Sequence, residues 1–558
     1  MISGPVAPSF RVVLITGHDD ERDLRNLVRR IAAVSGVRLV GVLQGSARRA
    51  LNPRVRRYLQ RHGAAAVAFN LLYHAMVVAT RLATAPLVAA YTLTHAPRPQ
   101  PAFGGLLGEL NAAHVRVRDF HDAATIAALK ALDADVGVVY GTPLVRPELF
   151  TVPRLGCINL HLAALPRYRG AGPVGLSEVI AGDREVGITI HRVDEGLDTG
   201  HVLGATAVTI EPLDTLRSLR VKATMAAHRV CADVIAGLRD GISREERAST
   251  SERSPLRLSL DRLTLFRQTR EFRRRQPSQR RQRWAGLRTA AAALFLCLGW
   301  VQVRTVVRRW RRRPPVLVLN YHLITDRHHY LGLSTDEFID HLEHLTCYYR
   351  IVPLADAVEA VRTSAHVEPL LAVTFDDGYV ENAGWGRELC ALYEVPVTVF
   401  VCADLVEGRI SLSPVRARGT ESTPSLNLVE LRALSEEGYE IGGHTSSHAD
   451  CGDPASWPEI PASRARLEAA LQRRVRFFSF PYGEPENCPA AARAVVRAPA
   501  TWLRLQPLAG PTFSVTICSP SSASPLRVLA AACDWRLQSK AGVPGDWRPP
   551  SGGVDDLE

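Results

Sequence analysis

The stretch Ile158-Asn159-Leu160-His161-Leu162, followed by Leu165-Pro166-Arg167-Tyr168-Arg169-Gly170, decides how the first half of this chain is read. Apolar residues alternate with Asn159 and His161, so the run reads as a strand that sends both polar side chains out of one face. Upstream, Val136 to Tyr140 reads as a buried strand ending in Gly141-Thr142-Pro143, Ala123 to Leu132 as a helix, and Val115-Arg116-Val117 as a further strand. Val12 to Ile15 and Val37 to Val42 are short β-rich runs flanking Asp19 to Ala33, whose apolar positions recur at helical spacing. Strands and helices alternating in this way predict a parallel sheet covered by helices.

An insert of about Gln44 to Leu110 interrupts the pattern. Its stretch Ala64 to Leu93 is apolar with only Arg81 charged, but Asn70, His74 and Pro86 break it. It reads either as a helical hairpin packed on the domain or as a membrane contact.

With 558 residues, several units or two large ones are expected. Apolar residues at 46% and charged residues at 22% exclude collagen-like, wholly disordered and polytopic membrane classes. The net charge of +12 is local: Arg267 to Arg313 holds fifteen Arg and one acid, Glu271, so +14 lies there and −2 elsewhere. Such a block suits a membrane surface better than a nucleic acid. Ten Cys without a C-x-x-C pair suggest reduced thiols, and no basic-then-apolar run opens the chain, so the first domain is expected in the cytosol. The apolar run 289–303, flanked by Arg on both sides, would make a helix of roughly 22 Å, short of a hydrocarbon core of about 30 Å. It reads as a membrane-lying or marginally spanning helix, or as a buried interdomain helix. The expected division is 10–235 (insert 44–110), a basic linker 236–314, a second domain 315–490 and an irregular tail 491–558.

The polar residues gather in two places. In the first half Asn159 and His161 are joined by Gly187-Ile188-Thr189-Ile190-His191 and by Asp194-Glu195-Gly196-Leu197-Asp198-Thr199-Gly200. An amide donor, an imidazole and a carboxylate from a Gly-flanked turn suit acyl transfer: the amide steadies an oxyanion, the imidazole moves a proton and the carboxylate orients it. An Asn and a His on one strand can also merely satisfy turns. In the second half Val316 to Leu319, Leu371 to Phe375 and Val395 to Val401 read as strands buried on both faces. Thr374-Phe375-Asp376-Asp377-Gly378 ends one of them, and His444-Thr445-Ser446-Ser447-His448 and Phe480-Pro481-Tyr482-Gly483 follow. Two His four apart plus a carboxylate make a three-ligand metal site with room for water, and an adjacent carboxylate can serve as base.

The first cluster resembles the core of the 10-formyltetrahydrofolate-dependent formyltransferases, over roughly residues 10 to 235. The resemblance implies a Rossmann-like domain, Asn159, His161 and Asp198 as the catalytic set, 10-formyltetrahydrofolate as cofactor, and a folate contact near Val139, Tyr140 and Gly141. Nothing after residue 235 resembles the small β-barrel that helps methionyl-tRNA formyltransferases grip tRNA, which demotes tRNA as acceptor. The second cluster resembles the polysaccharide deacetylases of carbohydrate esterase family 4, over about 315 to 490. That resemblance implies a distorted (β/α) barrel, Asp376 as general base, Asp377, His444 and His448 as ligands of a divalent metal, commonly zinc, and the Tyr482 N–H at the oxyanion. Two positions depart from the family: Ser479 stands where an Arg is usual, and no His follows His448 to act as acid. Leu319-Asn320-Tyr321-His322 closes the first strand of this domain, where a barrel opens its active site, so His322 is the expected acid, the alternative being a structural histidine.

Together these readings give an α/β, two-domain, bifunctional enzyme: formyl transfer to an amine, expected on an amino sugar, and metal-dependent deacylation of an amino-sugar glycan or glycolipid. The alternative is a formyltetrahydrofolate hydrolase or nucleotide formyltransferase joined to an inactive deacetylase-fold scaffold on a membrane. The expected location is the cytoplasm or the inner membrane surface, with the second domain outside if 289–303 spans.

Overall fold

The computed structural model describes residues 9–45, 98, 102–170, 172–242, 316–327, 329, 331–363, 368–411, 424–483, 485–497, 503–504 and 515–518. The apolar part of the insert, the segment 289–303 and most of the tail lie outside the described residues, and the expectations of a helical hairpin and a membrane-seeking helix fall there.

The first sheet runs in the order β3-β2-β1-β4-β5-β6-β7. Its strands are β1 (Phe10–Thr16), β2 (Val37–Gly45), β3 (Ala113–Val117), β4 (Val136–Tyr140), β5 (Cys157–His161), β6 (Glu185–Arg192) and β7 (Val202–Thr209). The first five pair in parallel, as the alternation predicts. β6 and β7 extend this parallel sheet as antiparallel strands. Val12 and Leu14 enter one core while Val13 and Ile15 enter another, so helices must cover both faces. Each fully buried aliphatic side chain of this kind contributes on the order of 1.5–3 kcal/mol.

Helix α1 (Glu21–Ala32) starts where the Asp20 carboxylate accepts from the N–H groups of Arg22 and Asp23. Its Leu24, Leu27, Val28 and Ile31 form the buried stripe. Helix α2 (Ala123–Ala131) covers the opposite face. Helix α3 (Leu216–Arg239) opens with a Thr215/Ser218 capping box and continues past residue 235.

The second sheet runs β16-β15-β14-β13-β12-β8-β17, with β11 also paired to β12, every pair parallel. Its strands are β8 (Val316–Tyr321), β11 (Arg350–Ile351), β12 (Leu370–Phe375), β13 (Val397–Val401), β14 (Glu440–Gly443), β15 (Phe477–Phe478), β16 (Leu503–Arg504) and β17 (Val515–Cys518). The short pair β9 (Leu323–Ile324) and β10 (Gly332–Leu333) stands apart. The architecture is a half-barrel whose strands bury alternate residues on its two sides: Leu317 and Leu319 in one core, Val316 and Val318 in the other. Helix α4 (Thr335–Tyr348) and helix α5 (Arg387–Leu392) pack on the side nearer the first domain.

The described residues within the expected tail 491–558 include regular structure. A helix occupies Ala490–Arg497, and β17 pairs with β8 along all four of its residues. β8 would otherwise be a sheet edge with unpaired main-chain groups. A four-residue strand leaves too short a pattern to be recognised without its partner.

Candidate active sites

The first site forms where β5 meets β6 in antiparallel register. That register sets Asn159 opposite His191 and His161 opposite Thr189. His191 Nδ1 lies 2.8 Å from the Arg192 carbonyl, an obligate acceptor, so Nδ1 carries the proton and Nε2 is the acceptor. Asn159 Nδ2 then donates to His191 Nε2 at 3.1 Å. One amide N–H is thereby fixed and the other is left to point elsewhere. His161 is fixed the same way: Nε2–H donates to the Tyr168 carbonyl at 2.8 Å, which leaves Nδ1 as the basic atom. Asp198, held at φ 54°, sets Oδ2 3.8 Å from His161 Nδ1 and Oδ1 3.6 Å from His191 Nε2, and accepts the Gly170 N–H at 2.8 Å. A non-glycine residue at positive φ is strained and needs support from its surroundings.

Burial pushes the His161 pKa below its ordinary value, although Asp198 opposes the shift. Burial would raise Asp198, but the neighbouring His191 and His161 imidazoles and the Gly170 N–H outweigh it and hold the carboxyl at about 2. The site therefore holds an ionised carboxylate beside a neutral imidazole poised to take a proton. Asn159, His161 and Asp198 come together as expected from the sequence, and His191 joins them. His191 stood in the run 187–191, but nothing local showed which strand it would face.

The expected folate contact divides. Val139 and Tyr140 are 3% and 2% exposed, with side chains in the core, so they offer a ligand only main-chain atoms. Gly141 sits at φ 63°, where a side chain would collide with His18. Beneath this loop the Tyr140 hydroxyl donates to Asp23 Oδ2 at 2.8 Å, and His228 Nε2 lies 3.2 Å from Asp23 Oδ1. Burial pushes Asp23 up to about 7 and His228 down to about 3.

The second site lies at the C-terminal ends of β8, β12, β14 and β15 of one sheet, where a barrel-type sheet gathers its loops. Asp376 and Asp377 follow β12, His444 follows β14, Ser479 follows β15 and half-buried His322 follows β8. Two imidazoles converge on one oxygen: His444 Nε2 and His448 Nε2 lie 3.5 and 3.1 Å from Asp377 Oδ1. Ligand atoms of all three residues lie within 4.8 Å of one another. His444 Nδ1–H donates to the Ser479 carbonyl at 2.9 Å, which turns Nε2 inward, an arrangement usual for metal-bound histidine. Burial would raise Asp377, yet His444, His448 and the nearby His322 hold it well below the usual carboxylate range. Asp377, Thr445, His448 and Tyr482 all sit at positive φ, a concentration of strain in the loops of one site. Glu459 braces the loop by accepting from the N–H groups of Ser446 and Ser447.

Asp376 is held differently. Its Oδ2 accepts from Asn320 Nδ2 at 2.8 Å and from Ser479 Oγ at 3.1 Å, while Oδ1 is buried without a hydrogen bond. Two neutral donors thus stand where the family's Arg is absent. Asn320 was within sight of the sequence, two residues before His322 on an alternating strand. Tyr482 is 44% exposed, with its ring 5.0 Å from that of His448.

The first half of the chain thus carries an Asn-His-Asp cluster and the second a carboxylate-histidine cluster, each of a kind suited to acyl chemistry. Residues 85–235 match the family described as Formyl transferase, and residues 364–498 match the family described as Polysaccharide deacetylase. Each half of the chain is thus similar to an enzyme family, the first to formyltransferases and the second to polysaccharide deacetylases. The methionyl-tRNA formyltransferase of Caulobacter sp. (strain K31) is 38% identical over 151 residues, 27% of this chain and 47% of that protein. The chain spans less than half the length of the curated relatives it matches. Among solved structures, IcaB from Ammonifex degensii is 20% identical, with a TM-score of 0.32 over 39% of this chain and 97% of that one. The phosphoribosylglycinamide formyltransferase of Bacillus halodurans is 18% identical, with a TM-score of 0.28 over 41% and 94%.

Proposed function

We propose that this protein is a bifunctional enzyme acting on acyl groups carried by nitrogen. The first domain transfers a formyl group from 10-formyltetrahydrofolate to the amine of an amino sugar. The second hydrolyses an N-acyl group from an amino-sugar glycan or glycolipid with a divalent metal, zinc by the chemistry of its ligand set. The observation that carries the reading is the pair Asp376 and Asp377: one faces two imidazoles, the other is pinned at Oδ2, and each has a buried Oδ1 lacking a hydrogen bond. Buried carboxylate oxygens are seldom left so unless a ligand or reaction uses them.

Asp377, His444 and His448 would hold the metal, which when bound supplies a Lewis acid and acidifies a water. Asp376 takes a proton at Oδ1 while Oδ2 stays fixed. His322, whose charge reaches Asp377, gives a proton to the departing amine, and the Tyr482 N–H serves the oxyanion. In the first site the acceptor amine would displace the tetrahydrofolate nitrogen from the formyl carbon, with the second N–H of Asn159 facing the formyl oxygen and the departing nitrogen taking the proton that His161 gives back. His161 takes the amine's proton at Nδ1, and the imidazolium then lies against Asp198.

The amino-sugar acceptor rests on the pairing with a glycan-directed domain, whereas the curated relatives are named for methionyl-tRNA. The test supplies the purified full chain with 10-formyltetrahydrofolate and either nucleotide-linked amino sugars or methionyl-tRNA, and separately with N-acetylglucosamine oligomers and metal. Formylated sugar and released acetate are expected. Formylation of tRNA alone, or folate hydrolysis without an acceptor, overturns the first half; absence of both metal binding and acetate overturns the second.

A further inference from the structure

The two domains meet along one face of α3 and α1, and that face is charged on both sides. Lys222 of α3 lies 2.8 Å from Asp214 of its own domain and 2.5 Å from Asp326 of the other, and all three side chains are at most 1% exposed. Asp326 is also tied by its main chain, accepting the Leu213 N–H at 2.8 Å, and by its side chain, accepting the Thr335 N–H at 3.0 Å. Burial alone would lower the Lys222 pKa, but Asp326 and Asp214 hold it above the ordinary value. A charge buried in this way is tolerated only while its partners are in place.

Around that centre most cross-domain pairs set a cation of the first domain against an acid of the second, with Glu211 and Arg327 paired in the reverse sense. Arg217 reaches Asp336, Asp340 and Glu343 of α4. Arg25 and Arg29 of α1 lie 3.4 and 2.6 Å from Glu394, and Arg229 pairs with Glu388. Apolar contacts cross as well: Met225 of α3 is 1% exposed within the second domain's core, and Trp385 packs on the first domain's core. A chance apposition would not pair opposite charges repeatedly across one seam and bury an ammonium between acids of both domains.

We propose that the two enzymatic domains are docked as one unit through this interface in the native protein, and therefore occupy the same compartment whatever path residues 243–315 take. The proposal holds independently of what either site turns over. It rejects the arrangement in which the second domain stands across a membrane from the first.

The test uses the full chain with a site-specific protease sequence inserted after Gln276. After cleavage the two fragments should co-elute on size exclusion at about 0.1 M salt, where screening already reaches over roughly 10 Å. Arg217→Glu, set against three acids, should abolish co-elution. Arg362→Glu, the same charge change on a residue paired only within its own helix with Glu359, should retain it. Fragments of the unaltered chain that separate, or equal behaviour of the two variants, overturn the docking. Compartment is read with Ile242→Cys and Val429→Cys, at positions 65% and 73% exposed, because native Cys231 and Cys390 are fully buried. An impermeant thiol reagent should treat both alike in intact cells and label both after permeabilisation; labelling of one alone in intact cells overturns the shared compartment.

Discussion

Ser479 serves two neighbours at once: its hydroxyl donates to Asp376 Oδ2 at 3.1 Å, and its carbonyl accepts from His444 Nδ1 at 2.9 Å. The side chain acts on the base and the main chain on a ligand, so mutation separates the two. Ser479→Ala is expected to keep its metal and its KM while kcat falls about tenfold. Asn320→Ala removes the shorter bond and should cost roughly 10–100-fold, the range for a hydrogen bond to a charged group. Loss of metal from Ser479→Ala would show that the hydroxyl, and not the carbonyl, organises the ligands.

Metal can be followed without any substrate. Chelated protein given back zinc should melt at a higher temperature, with about 2.7 kcal/mol gained at a hundredfold excess over Kd. Asp377→Ala and His448→Ala should show no such rise. A rise of equal size in both variants would place the metal elsewhere.

Because His191 Nε2 accepts from Asn159, it sets which way the amide faces. His191→Phe should lower formyl transfer about a hundredfold, near the value for losing one oxyanion donor, with folate binding unchanged. Weakened folate binding at an unaltered kcat would assign His191 to the cofactor instead.

The acidic limb of formyl transfer should belong to His161. Burial lowers its pKa, so its basic form persists at neutral pH and is lost only as pH falls below the ordinary value of about 6.5. Asp198, held at about 2, stays ionised throughout that window. A pH profile whose acidic limb lies above 7 would contradict this assignment.

Asp23 makes stability depend on pH in the opposite sense to an ion-paired carboxylate. Its folded pKa is raised to about 7 from 3.8, so its favourable contribution is complete below 3.8 and is lost as pH rises through 7. Asp23→Asn should match the parent near pH 4 and exceed it by on the order of 3–4 kcal/mol at pH 8. Parallel urea-unfolding curves for the two proteins across that range would refute the shift.

Much of this molecule was legible along the chain. β4 has the bounds its apolar run predicts, α1 falls within the helical spacing of Asp19 to Ala33, and the polar clusters after β12 and β14 stand where their sequence spacing puts them. Such features depend on the alternation of a few consecutive residues and on local capping, which neighbours along the chain determine. Tertiary structure alone decided that His191 faces Asn159 from 32 residues away, that Ser479 and Asn320 reach Asp376 across 103 and 56 residues, and that β17 completes the flank of β8. It also decided that Lys222 sits between the acids of two domains. Those pairings depend on strand order, register and domain packing, and a residue's immediate neighbours carry no record of which distant strand or surface will come to lie against it.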